Sequence, residues 1–107
     1  MLHTLQGKNL ELTSVLERFI ADKIQSLERI TSRFDQDTIE ARVEISKPSR
    51  HHRSGFVFYA EINLKLPGQL LRAEVSHLDL NFAINEAFEE IEKQVKKYKD
   101  KLTQKRG

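Results

Sequence analysis

The residue pattern predicts an α+β fold of order β-α-β-β-β-α, a four-stranded sheet with two parallel helices on one face. Three observations predict it. Apolar residues alternate with polar ones in three successive segments between Ile39 and Val75, the period of half-buried strands. One segment before them and one after carry apolar residues at steps of three and four, the period of amphipathic helices. Turn-forming residues separate the segments, with Asp35-Gln36-Asp37 and Pro67-Gly68 as the clearest breaks.

Met1 to Gln6 reads as a short strand, and Gly7 to Leu12 as a connection. Helix one starts at Thr13 or Ser14: Thr13 suits an N-cap, and Ser14 with Glu17 fits a capping box. Leu16, Ile20, Ile24, Leu27 and Phe34 keep helical spacing, which carries the helix to about Arg33. Ile39, Ala41, Val43 and Ile45 alternate with Glu40, Arg42, Glu44 and Ser46 as strand two. A loop over Lys47–Gly55 follows, longer than a tight hairpin turn. Phe56, Phe58, Ala60, Ile62, Leu64 and Leu66 form the dry side of strand three. After Pro67-Gly68, strand four alternates through Leu71, Ala73 and Val75. Helix two takes Asp79 as N-cap. Its stripe of Ile84, Phe88, Ile91, Val95, Tyr98 and Leu102 extends over about 25 residues, or roughly 37 Å. A coiled coil would show the same spacing, but the strands offer a sheet face for this stripe to cover.

The order of elements fixes their directions. Strands two to four form an antiparallel meander, and a right-handed crossover through helix one makes strands one and two parallel neighbours. The strands have one apolar side, so both helices are expected to cover it. Both helices start where strands of the same direction end. Their C-terminal ends therefore meet, with Arg29 and Arg33 beside Lys93–Lys101, and the Lys47–Arg53 loop lies at the opposite end.

The chain has 107 residues and reads as one domain, 1–107. Its hydrophobic content of 38% against 32% charged residues fits a soluble globular protein rather than a disordered one. No apolar run nears the roughly 20 residues that cross a bilayer. The first residues lack the pattern of a secretory leader, so none is expected. Absence of cysteine excludes disulfides and thiolate chemistry and is compatible with the cytoplasm. The formal net charge of +2 hides an asymmetry: residues 1–92 hold 11 basic and 15 acidic residues, whereas 93–107 hold seven basic residues and one acid, Asp100. A second basic run is Lys47-Pro48-Ser49-Arg50-His51-His52-Arg53.

Nothing in the chain has the pattern of an enzyme. The serines lie in no nucleophile elbow. The adjacent His51 and His52 point to opposite sides of an extended backbone, a poor chelate, so no metal and no cofactor are expected. Glu89 and Glu90 read as solvated helix surface. The lysines are different. Lys93, Lys97, Lys101 and Lys105 recur at four-residue steps beside the apolar stripe, and Lys96 and Lys99 widen the patch. One or two cations would satisfy the helix dipole, which acts over the last turn. The excess points to a polyanion, and nucleic acid explains it best. The outer face of strand three offers Tyr59 without a second aromatic, so a stacking platform of the single-strand type is not expected.

The chain also resembles the ribosome hibernation-promoting factors, the family of ribosome-associated inhibitor or protein Y, with the older label sigma-54 modulation protein. Gly7-Lys8-Asn9-Leu10-Glu11-Leu12-Thr13 fits the family's G-x-N-x-E-I/L-T lead into helix one, and Lys23-Ile24-Gln25-Ser26-Leu27-Glu28-Arg29 its K-I/L-x-x-L-E-R/K segment. Pro67 to Glu74 resembles its turn into the last strand. Asp79-Leu80 with Ala83-Ile84-Asn85 is similar to its D-M-Y-x-A-I-D helix start, and Gln94 with Lys96 to Lys101 to its basic end. Asn81 stands in place of a frequent Tyr, and Glu90 in place of a frequent Lys.

The resemblance implies a fold similar to a double-stranded-RNA-binding domain with an added strand. It also implies a non-enzymatic role: occupation of the decoding cleft of the small ribosomal subunit on 16S rRNA. There the protein would block messenger and transfer RNA in stationary phase or stress. The lysine-rich end of the sequence suggests the short class, whose members favour paired ribosomes. A cytoplasmic protein, monomeric when free, without a membrane or small-molecule partner, is expected. The RNA-contact residues expected are Lys93, Lys96, Lys97, Lys99 and Lys101, then Lys23 and Arg29, then Arg50, His51 and Arg53. An ordinary double-stranded-RNA domain would carry its lysines at the start of the last helix, where this chain has Glu86, Glu89 and Glu90. A regulator that binds a transcription factor through protein contacts is the other reading.

Overall fold

A computed structural model describes residues 1–47 and 57–104. The chain folds as β1 (Leu2–Lys8), α1 (Ser14–Ile30), a 3-10 turn (Gln36–Thr38), β2 (Glu40–Ser46), β3 (Phe58–Leu66), β4 (Gln69–His77) and α2 (Leu80–Gln104). The sheet order is β1-β2-β3-β4. β1 runs parallel to β2, and the other neighbours are antiparallel. The order, the parallel pair and the meander are those the sequence predicts.

Burial follows the alternation. Ala41, Val43 and Ile45 of β2, Ala60, Ile62, Leu64 and Leu66 of β3, and Leu71 and Ala73 of β4 are buried on one face. They meet Leu16, Ile20, Ile24 and Leu27 of α1, and Ala83, Ile84, Ala87, Phe88, Ile91 and Val95 of α2, in one core. The other sheet face is polar, so a helix placed there would find nothing apolar to cover.

Local chemistry sets the element ends. At the start of α1 the choice falls on Thr13, whose Oγ1 accepts the Leu16 amide at 3.2 Å; the Ser14–Glu17 box is not used. Asp79 caps α2 through Oδ1, which accepts the Asn81 and Phe82 amides at 2.9 and 3.3 Å. Helix α1 ends at Ile30 rather than near Arg33. After the buried Thr31 the bonds tighten to i→i−3, with Ser32 N to the Arg29 carbonyl at 3.4 Å and Phe34 N to the Thr31 carbonyl at 3.0 Å, and Gln36 Nε2 caps the same Thr31 carbonyl at 2.9 Å. The next residues turn away, so Phe34 keeps helical spacing in sequence without being helical. β1 extends to Lys8 and β4 begins at Gln69, both beyond their expected limits. Phe56 and most of the Lys47–Gly55 loop lie outside the described residues. The start of that loop is held by Lys47 N to Lys8 O at 3.1 Å and Asn9 Nδ2 to Lys47 O at 3.4 Å. Both contacts place Lys47 beside the lead into α1.

The β3–β4 connection is the Pro67-Gly68 turn, with Leu66 paired to Gln69 across it. Gly68 has φ +82°. Proline followed by a residue at positive φ is the type II arrangement. A side chain at position 68 would also approach the Tyr98 hydroxyl to 3.0 Å.

Ile91 is 0% exposed at the centre of the α2 stripe. Ile91→Ala leaves a cavity between helix and sheet, and we expect a loss of about 2–5 kcal/mol in chemical denaturation.

Candidate nucleic-acid interface

The two helices end side by side. Lys99 Nζ donates to the carbonyl of Ile30, the last residue of α1, at 2.9 Å. Phe34, just after α1, stacks on Tyr98 with centroids 6.2 Å apart and planes at 18°. Arg33 places its guanidinium 5.5 Å from the Phe34 ring centroid. The expected meeting of Arg29 and Arg33 with the lysine-bearing part of α2 therefore holds at the backbone level. Its cause is topological: both helices antiparallel to β1, β2 and β4 must finish at one end.

Three long-range hydrogen bonds fasten this part of α2. Gln94 Nε2 donates to the Arg72 carbonyl on β4 at 2.8 Å. Tyr98 Oη donates to the Pro67 carbonyl at 2.7 Å. The Lys99 bond to α1 is the third. They run to β4, to the β3–β4 turn and to α1, so the helix end cannot pivot without breaking at least one.

Lys93, Lys96, Lys97 and Lys101 are exposed. None of them forms an ion pair with a described residue. Lys99 is only half-buried and spends one of its three N–H donors on Ile30. Sequence reasoning grouped it with the other lysines; its bond to α1 was not legible, because the pairing depends on where α1 stops. Arg29 is exposed in the last turn of α1 and belongs to the same end. Lys23 lies about 10 Å along the α1 axis from Ile30, with its ammonium 5.4 Å from the centroid of the Phe19 ring. It is apart from the cluster. Arg50, His51 and Arg53 lie outside the described residues.

The outer sheet face provides the contrast. There Lys8 pairs with Glu44 at 3.0 Å, Arg42 with Glu40 at 2.9 Å, and Arg72 with Glu61 at 2.9 Å and with Glu74. Glu61 also accepts from Asn63 Nδ2 at 3.0 Å and from Tyr59 Oη at 3.1 Å. The Asn63 bond, then the Tyr59 bond and the Arg72 charge, hold the Glu61 carboxyl below its ordinary range against the opposing effect of burial. Burial, followed by the Glu61 hydrogen bond, pushes the Tyr59 phenol up to about 12. On this face four of the described carboxylates are paired with cations, and Lys65 alone of its basic residues has no ion pair among the described residues. At the helix ends the exposed lysines have no such pair among the described residues.

Sequence reasoning missed a groove beside the lysines, between the β3–β4 turn and α2, lined in part by Gln69, Leu71, Lys97 and Leu102. Leu102 falls on the apolar stripe, and the Pro-Gly turn was recognised, but only the packing brings them together. Among the described residues no group of three His, Asp or Glu side chains is arranged to hold a metal ion. No helix among them is long and apolar enough to cross a membrane.

Two parallel helices over one face of a four-stranded sheet define an α+β fold that, among the described residues, carries unmatched lysines in a basic pole at the shared C-terminal end of the helices. The chain belongs to the family described as Sigma 54 modulation protein / S30EA ribosomal protein, whose family model matches residues 3–103. It is 27% identical over 106 residues to a ribosome hibernation promotion factor of Deinococcus radiodurans, a match covering 98% of this chain and 52% of that protein. It is 29% identical over 100 residues to the ribosome hibernation promoting factor of Klebsiella oxytoca, covering 94% of this chain and 95% of that one. The crystal structure of the N-terminal domain of Thermus thermophilus protein Y matches with a TM-score of 0.69 at 33% identity, over 88% of this chain and 93% of that chain. The chain thus spans about half the length of the Deinococcus relative and nearly all of the Klebsiella one. The family expected from the motifs is the family found.

Two outcomes are expected of this geometry. Lys99→Met leaves the Ile30 carbonyl without its donor and lowers stability by about 1–2 kcal/mol, whereas Lys96→Met changes it by less than about 0.5 kcal/mol; urea denaturation of both variants checks the difference. The Tyr59 phenol keeps its proton in the folded chain above its unfolded value of 10.0. Its contribution to stability is full below that pH and is lost as pH rises through about 12. A phenolate absorbance titration should show one late-ionising tyrosine, and Tyr59→Phe should remove that step.

Proposed function

We propose that this chain is a ribosome hibernation factor that occupies the decoding cleft of the small ribosomal subunit and blocks it. The basic pole lies against 16S rRNA phosphates. The body of the protein overlaps the positions of messenger RNA and the anticodon ends of transfer RNA. Translation stops by occlusion in stationary or stressed cells, in the cytoplasm, and no bond is made or broken. The protein arrives as a monomer.

The observation that carries this reading is the set of exposed, unpaired lysines on a helix end fastened at three points. Unpaired cations repel one another, so within the free protein they bring no gain beyond the one or two that suit the helix dipole. Phosphates relieve that repulsion and release condensed counterions. A fastened helix end presents the charges without loss of freedom on binding. Lys93, Lys96, Lys97 and Lys101 carry the phosphate contacts in this reading, and Lys99 contributes its remaining donors. Arg29 extends the surface across α1, Lys23 adds a separate contact, and Arg50, His51 and Arg53 supply a second one. The names of the relatives support the hibernation role, and the near end-to-end match with the Klebsiella protein supports its transfer to this length of chain.

Sedimentation with separated ribosomal subunits tests the reading. The chain is expected to pellet with the small subunit, saturably, and to be released as salt rises. Charge reversal at Lys93, Lys97 and Lys101 should abolish pelleting while the melting midpoint stays unchanged. Neutralising the same three with Gln should flatten the logarithmic salt slope by about 2–3 units. Pelleting with neither subunit at low salt would reject the ribosome reading and favour a partner among transcription factors.

A further inference from the structure

The groove between the β3–β4 turn and the last turns of α2 is an open cleft of about 370 Å³, at the low end for sites that hold a small organic group. Tyr98 and Leu102 give it an apolar wall above the buried Leu71, and Gln69, Lys97 and Lys101 line it as well. Its walls are preformed. The Tyr98 hydroxyl is tied to the Pro67 carbonyl at 2.7 Å, and its ring stacks on Phe34. Gly68 keeps that side open, since a Cβ there would come within 3.0 Å of the Tyr98 hydroxyl.

The lining selects the ligand. An apolar molecule would cover Tyr98 and Leu102 but leave two ammonium groups beside it without a counterion. A bare phosphate would satisfy the lysines and leave the apolar surface uncovered. Duplex RNA keeps its bases stacked inside and presents only its backbone and groove edges. An unpaired nucleotide offers both parts, a flat base and an adjoining phosphate. We propose that this groove receives one unpaired nucleotide of an RNA chain, with its base against Tyr98 and Leu102 and its flanking phosphates on Lys97 and Lys101. The groove is continuous with the basic pole, because Lys97 and Lys101 belong to both. The inference rests on the RNA-binding reading above and deepens it: the RNA is single-stranded where it meets this site, and it is gripped by a base as well as by charge.

Short single-stranded RNAs with the intact protein provide the test. One oligonucleotide carries a central 2-aminopurine, and a second of equal length is abasic at that position. The base-bearing RNA is expected to bind at least about fivefold more tightly, the low end for one base stacked on protein, with a saturable change in 2-aminopurine fluorescence. Leu102→Ala should erase the difference between the two RNAs while the abasic one binds as before. Gln replacement at Lys97 and Lys101 should weaken both RNAs by the same factor. Equal affinity of the unaltered protein for both RNAs would overturn the base site and leave phosphate contact alone. Adenosine monophosphate binding as tightly as the base-bearing RNA would overturn the RNA chain as occupant in favour of a free nucleotide. If neither RNA binds while the chain still pellets with the small subunit, the groove assignment fails and the ribosome reading stands. If pelleting fails as well, both fall.

Discussion

The sheet has one apolar face, and the structure follows from that. Ala41, Val43, Ile45, Ala60, Ile62, Leu64 and Leu66 all point to the same side, while Glu40, Arg42, Glu61 and Arg72 pair off on the other. Both helices must therefore share a single layer. Because β1 and β4 point the same way, the helices that follow them run parallel. A protein that could bury a helix on each face would be free to separate the helix ends; this one brings them together.

Parallel neighbours place two helix C-termini, each with the partial negative charge of its dipole, at one end. Lys99 answers this directly by donating to the Ile30 carbonyl. Lys93, Lys96, Lys97 and Lys101 share the favourable field but have no ion pair among the described residues. The same topology thus makes a basic pole tolerable to the fold and available to a polyanion. The fastening by Gln94, Tyr98 and Lys99 makes the pole rigid, which suits a protein that acts by filling a site rather than by catalysis. The paired charges of the outer sheet face serve the opposite purpose, a surface without preference for either sign.

Motifs and packing explain each other at several points. The Gly68 turn, part of the stretch that resembles the family's lead into its last strand, is also where Tyr98 docks. Gln94, part of the basic-end motif, holds the free edge of β4 through the Arg72 carbonyl. These residues resemble the family because they build the helix end, whatever else the helix end then touches.

The sequence by itself determined the element order, the strand faces, the cap at Asp79, the parallel helices and the charge asymmetry. Each of these depends on neighbours a few residues apart or on a rule of chain handedness, so a linear reading captures them. The end of α1 was beyond its reach, because Phe34 keeps helical spacing and only the capping of the buried Thr31 carbonyl by Phe34 N and Gln36 Nε2 shows the stop. The separate standing of Lys23, the structural bond of Lys99 and the groove beside Leu102 were equally hidden. Each depends on a distance between residues far apart in the chain: Lys99 is 69 positions from Ile30, and Tyr98 is 31 from Pro67. Periodicity says which side of a helix faces inward. Tertiary packing alone decides what it meets there.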